Sequence, residues 1–235
     1  MKSAVSVDEN LTALPRLFPE GQAEEEPLSA AFHERFPVLL IGQRTQGTIW
    51  PDHSDNVAAL ECYREGYRAL HEDKDAVAAM RFYEEALEHD PLYFRVWVEL
   101  AIVCLMDNTA ESIEKAEGIF VRLCAIEPDG EWLTREVASI LRQNLGYTRL
   151  VRYRRTGDRA YLKLAEGEYE LANALAEHER LELLCPWTYV KLELGEKESA
   201  QRLWRRVEKA APSQEVLAEY VAKYSSLRLF LGENK

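Results

Sequence analysis

No apolar run in this chain is long enough to cross a bilayer. The run Val38 to Ile41 behind Phe36-Pro37, like the seven residues Leu100 to Met106, falls far short of the ~20 residues a spanning helix needs. Glycine and proline are scarce, at 11 and 9 of 235 residues, which excludes a collagen-like or largely disordered chain. The four cysteines (Cys62, Cys104, Cys124, Cys185) are too scattered for a disulfide framework or a CxxC pair, so a reducing compartment is expected. Residues 1–18 hold no continuous hydrophobic stretch, so no secretory signal is expected and a cytoplasmic location is. Basic groups are outnumbered, 29 to 41. The net charge of −12 argues against a protein that coats nucleic acid or seeks a membrane surface.

Chemical signatures are missing too. There is no GxxxxGK[ST] phosphate cradle, GxSxG elbow or GxGxxG loop. His-Glu occurs at residues 33, 71 and 178, but the second histidine a zinc helix requires is replaced by Pro37, Asp75 and Glu182. Glu84, Glu85 and Glu88 read as a solvated helix face rather than paired acid–base groups. Asp52-His53-Ser54-Asp55 reads as a polar turn leading into a helix. No catalytic residue, metal site or cofactor is expected.

What is present is a strong helical pattern. Hydrophobic residues make up 47% of the chain, enough for a sizeable core. Alanine is followed at +3, +4 and +7 by packing residues in Ala79-Phe82-Tyr83-Ala86, in Ala116-Ile119-Phe120-Leu123 and in Ala200-Leu203-Trp204-Val207. A weaker copy, Ala165-Tyr169-Ala172, has Glu168 at the +3 place. This spacing stacks side chains on one stripe of an α-helix, the small alanine admitting a neighbouring helix. Pro91, Pro128 and Pro212 stand twelve residues after three of these alanines, where a ring without an N–H stops a helix. The pattern predicts helices over about 57–72, 75–89, 92–106, 110–126, 131–155, 159–177, 179–194, 197–210 and 214–231. Asn108 with Glu111, and Ser213 with Glu215, have the spacing of helix starts, and Gly157-Asp158 of a break.

These residues resemble the tetratricopeptide repeat family. The first copy (60–93) carries Tyr63, Ala79, Tyr83, Ala86 and Pro91, with Gly66 and Tyr67 in swapped order. The second carries Trp97, Leu100, Ala101, Ala116, Phe120 and Pro128 around a short insertion. The third starts at Trp132 and departs. The fourth (about 181–212) matches in its second helix. An unrelated helical repeat is the alternative. The resemblance covers about 57–212 and implies an all-α, right-handed superhelix of antiparallel helix pairs with 214–231 as a capping helix. Residues 56–235 form this repeat domain; 1–55 form an irregular acidic N-terminal extension with an apolar segment at 36–41.

The resemblance further implies a non-catalytic scaffold, an adaptor or assembly chaperone that holds a peptide or helix of another protein on its concave face. Carried over, the family's groove positions give Arg64 and Arg68, then Arg95, Val98, Ile102 and Met106, then, aligned on Trp132, Val137 and Leu141. The chain's own N-terminal segment is a second candidate occupant, since six clustered apolar residues and Trp50 are costly to leave wet.

One feature stands apart from the acidic background. Residues 135–163 carry eight basic groups against Glu136 and Asp158, with Tyr147, Tyr153 and Tyr161 among them. The basic patch Arg142, Arg149, Arg152, Arg154, Arg155 and Arg159 has three readings. It balances acidic neighbours within the stack, docks an acidic partner, or contacts phosphate or nucleic acid, the tyrosines then stacking bases. The last makes the chain a regulator acting through residues 142–163.

Overall fold

The computed structural model describes residues 54–126, 133–224 and 227. Among them every regular element is helical, and no helix is long and apolar enough to cross a membrane. The chain divides between Leu133 and Thr134 into two compact units. Residues 1–53 of the expected N-terminal extension, with Pro128 and Trp132, lie outside the described residues.

The first unit holds α1 (Val57–His71), α2 (Ala76–His89), α3 (Phe94–Asp107) and α4 (Ala110–Cys124). Each packs on the next, through turns of two to four residues. Side chains that compensate the bare amides of the first turn set the starts. Asn56 Oδ1 accepts from Ala58 and Ala59 N–H, Asp75 from Ala78, and Thr109 Oγ1 from Ser112. The cap of α4 is thus Thr109, not the expected Asn108. Asn108 instead ends α3 in the left-handed region (φ 53°, ψ 24°), a conformation asparagine tolerates better than most residues.

The second unit holds α5 (Arg135–Thr156), α6 (Ala160–Leu175), α7 (Leu181–Glu193), α8 (Lys197–Ala210) and α9 (Gln214–Lys223). Here α6 lies along α5, and α7 packs on both α6 and α8 while touching α5 and α9. Thr134 caps α5, and Gly157 ends it at φ +72°, the expected break. Ser213 caps α9 as expected. That helix closes at Tyr224, whose backbone is extended (φ −128°, ψ 94°), and most of the expected stretch from there to residue 231 lies outside the described residues.

The alanine stripes are the core. Ala79, Tyr83, Ala86, Ala116, Phe120, Leu123, Ala165, Tyr169, Ala172, Ala200 and Val207 are all fully enclosed. Two contacts set the closeness of the helix pairs. A Cβ on Gly66 of α1 would lie 2.6 Å from Tyr83 Cε1 of α2; one on Gly146 of α5 would lie 2.9 Å from Tyr169 Cε1 of α6. Each glycine is therefore a seat for a tyrosine ring from the following helix.

Candidate functional site

In the first unit an aromatic cluster grows from α1, where Tyr63, Tyr67 and His71 recur every four residues and so share a face. The Tyr63 ring stands 6.0 Å from Tyr83 and 5.4 Å from Tyr93, and Tyr67 lies 4.2 Å from the His71 ring. The Arg95 guanidinium of α3 sits 5.2 Å over Tyr63, a cation–π contact that ties α3 to α1. Burial, reinforced by nearby Glu99, pushes the Tyr83 phenol far above its ordinary pKa. Burial likewise raises the Cys104 thiol to about 12, so it stays protonated and unreactive at neutral pH.

The expected groove residues divide between the units. Arg64 and Arg68 are exposed one turn apart on α1, Arg68 pairing with Glu65. Arg95, Val98, Ile102 and Met106 follow one stripe of α3. Val137 and Leu141 lie in the second unit on α5. The expected open apolar strip is corrected at three places: Val98 is 3%, Ile102 8% and Leu141 1% exposed. The reason is that α3 is apolar around nearly its whole circumference and is enclosed on nearly every face, as such a helix must be. Arg95, Met106 and Val137 are half-buried.

A cavity of about 510 Å³ opens among α2, α3 and α4. Leu87, Pro91, Trp97 and Leu100 form its apolar wall; Glu84, Glu88 and Lys115 stand at its edge. The Trp97 indole N–H donates to the Pro91 carbonyl at 2.9 Å, which holds the ring in place. Lys115 pairs with Glu84. Exposed Glu88, one turn further on, has no partner among the described residues. These glutamates were read from sequence as a merely solvated face; their place beside a cavity depends on residues of three helices and a turn.

In the second unit half of the basic patch is drawn into contacts within the stack: Arg142, Arg149 and Arg152 are half-buried. Arg142 and Arg149 of α5 both donate to Glu168 of α6, at 2.9 and 2.7 Å. Glu168, the residue that interrupts the apolar stripe, thus receives two arginines. Arg152 lies 4.5 Å over the Tyr161 ring, and Arg159 donates to the Glu193 carbonyl. Arg154 stands 5.1 Å over Tyr189 of α7 and 5.2 Å over Tyr224, whose rings are 5.4 Å apart. Arg154, Arg155 and Arg159 remain exposed.

A second ionic knot centres on Lys191 of α7, which bonds Glu166 and, at 2.9 Å, Glu196. Burial disfavours its ammonium, but these bonds together outweigh it and hold the pKa above the ordinary lysine value. The bond to Lys191, aided by Lys163, pulls the Glu196 carboxyl below its usual range. A smaller cavity of about 270 Å³ lies alongside, lined by Glu170, Trp187, Lys191, Ser199, Arg202, Leu203 and Arg206. Asn144 is fully buried, and among the described residues neither of its amide atoms, nor Gln143 Oε1, has a hydrogen-bond partner.

Among the described residues no three histidine, cysteine, aspartate or glutamate side chains group as metal ligands do. Together these features define, among the described residues, an all-helical arrangement of paired helices whose ionisable groups cluster in interhelical contacts. No protein family, curated protein or solved structure matches the chain.

Proposed function

We propose that this chain is a non-catalytic interaction scaffold of the tetratricopeptide kind, an adaptor or assembly chaperone that holds a peptide or helix of another protein. The observation that carries this reading is the seat of a tyrosine on a glycine of the preceding helix, in both units: Gly66 under Tyr83 and Gly146 under Tyr169. Recurrence of one packing device is what a stack of like units requires, because a single pair cannot bury its stripe alone. Gly146, rather than a position counted from Trp132, then sets the register of the third pair.

The partner contact falls on the exposed charged face of α1, Arg64 and Arg68, with half-buried Arg95 and Met106 beyond it. Buried Val98 and Ile102 support that surface from within. Exposed charges set orientation and encounter rate more than affinity.

The test is capture from native lysate by the full chain and by the Arg64→Glu/Arg68→Glu variant. Both sites are solvent-facing, so thermal unfolding should match wild type. The expected result is at least fivefold less of a specific protein; equal recovery would overturn the assignment to α1. The alternative, a nucleic-acid or phosphorylated ligand on the basic island, loses Arg142 and Arg149 to Glu168. It retains Arg154, Arg155 and Arg159, and would show as recovery that falls steeply with salt.

A further inference from the structure

The cavity beside Pro91 lies on a different surface from the α1 arginines, and its chemistry is distinct. Its wall is apolar and its edge acidic. Glu84 is already neutralised by Lys115, while Glu88 has no partner among the described residues. An occupant that suits it has large apolar side chains to fill the space and a guanidinium or ammonium to meet Glu88. Residues 56–134 carry seventeen acidic against seven basic groups, so the surroundings favour a cationic occupant as well.

The chain contains such a segment. Arg35-Phe36-Pro37-Val38-Leu39-Leu40-Ile41-Gly42-Gln43-Arg44 is an apolar run bracketed by two arginines. Its attachment is equally telling. The Ser54 hydroxyl donates to the Asp90 carboxylate, and both groups are buried. The Asn56 side-chain amide adds a bond to the His89 carbonyl at 2.9 Å. The chain is therefore pinned at Asp90, next to the Pro91 that lines the cavity. Ser54 is ten positions after Arg44, a span that extended reaches about 33 Å. A segment tethered that closely meets its site at an effective concentration in the millimolar range.

We propose that the cavity between α2, α3 and α4 is the docking site of the chain's own residues 35–44, with Phe36 and the Val38–Ile41 run on the Leu87–Pro91–Trp97–Leu100 wall and a flanking arginine on Glu88. This goes beyond the scaffold reading: it gives the chain an internal ligand at a cavity to which the α1 arginines contribute nothing.

The first test is tryptic cleavage of the full chain after Arg35 and Arg44, compared between wild type and Glu88→Lys. Glu88 is exposed, so this substitution leaves the core alone. Cleavage at those two arginines is expected to accelerate at least tenfold, with other sites unchanged. Equal rates overturn the proposal. The second uses a fluorescein-labelled synthetic peptide of residues 35–44, followed by anisotropy. Full-length Phe36→Asp/Leu40→Asp chain should bind it at least tenfold more tightly than wild type, because its own segment no longer competes. Adding Glu88→Lys should abolish that gain. Equal affinity for wild type and the double variant, or no effect of Glu88→Lys, sinks the assignment. Partner capture by the Arg64→Glu/Arg68→Glu variant is read separately, so failure of the scaffold reading leaves the cleavage result standing, and the reverse.

Discussion

At the scale of single residues, the glycines divide by what surrounds them. Gly66 and Gly146 seat tyrosine rings at distances no Cβ tolerates, whereas Gly118 of α4 and Gly167 of α6 have nothing within 4 Å of a built Cβ. The same substitution should therefore have opposite signs. Gly66→Ala and Gly146→Ala force the helix pair apart and are expected to cost about 1–3 kcal/mol. Gly118→Ala and Gly167→Ala remove backbone freedom from the unfolded chain at no steric cost and should stabilise by about 0.5–1 kcal/mol. Urea midpoints of the four variants check this. A uniform sign across all four would mean that the tyrosine seats do not govern the packing.

At the scale of helices, α5 and α6 are joined by both a steric and an ionic contact. Glu168 is 10% exposed at its side chain and sits between Arg142 and Arg149, at 27% and 13%. Glu168→Gln keeps the shape but leaves two arginines facing a neutral amide. Removing one member of such a buried group typically costs about 3 kcal/mol or more. The variant should unfold at lower denaturant, and added salt should narrow the gap only slightly because the group is largely shielded from solvent. Such contacts explain what the sequence could and could not disclose. The helices were legible because alanine and aromatic residues at +3, +4 and +7 can be buried together only on a helix. The role of Glu168 was not, since its partners lie 26 and 19 residues back on another helix and a lone glutamate in an apolar stripe looks like a flaw. The choice between Asn108 and Thr109 as cap was equally hidden. Both side chains can accept from a first-turn amide, and only the left-handed backbone at Asn108 separates them. Burial of the Val98–Ile102 stripe depends on what encloses α3, which no spacing within α3 encodes. The cavity is assembled from three helices and a turn, so no local pattern announces it.

At the scale of the whole molecule, stability should depend on pH through the Lys191 knot in a direction that can be worked out. The folded-state pKa of Glu196 is depressed, so the unfolded chain takes up its proton first as pH falls. Its stabilisation is complete above the ordinary glutamate value, about 4.3, and is lost as pH drops through the depressed one. Lys191 behaves in the mirror sense: its raised pKa adds stability that is complete below the ordinary lysine value and is lost as pH rises through the raised one. Glu196→Gln should flatten both limbs of a plot of unfolding free energy against pH. A curve with unchanged limbs would show that these groups titrate independently of folding. The buried bond from Ser54 to Asp90 has a consequence of another kind, for where this chain tolerates being cut. A product trimmed anywhere ahead of Ser54 keeps the hydroxyl that satisfies Asp90 and holds the start of α1 against the turn after α2. One trimmed a single residue later loses that bond to a desolvated acid. Ser54 therefore marks the point past which N-terminal trimming removes a buried bond to the turn between α2 and α3.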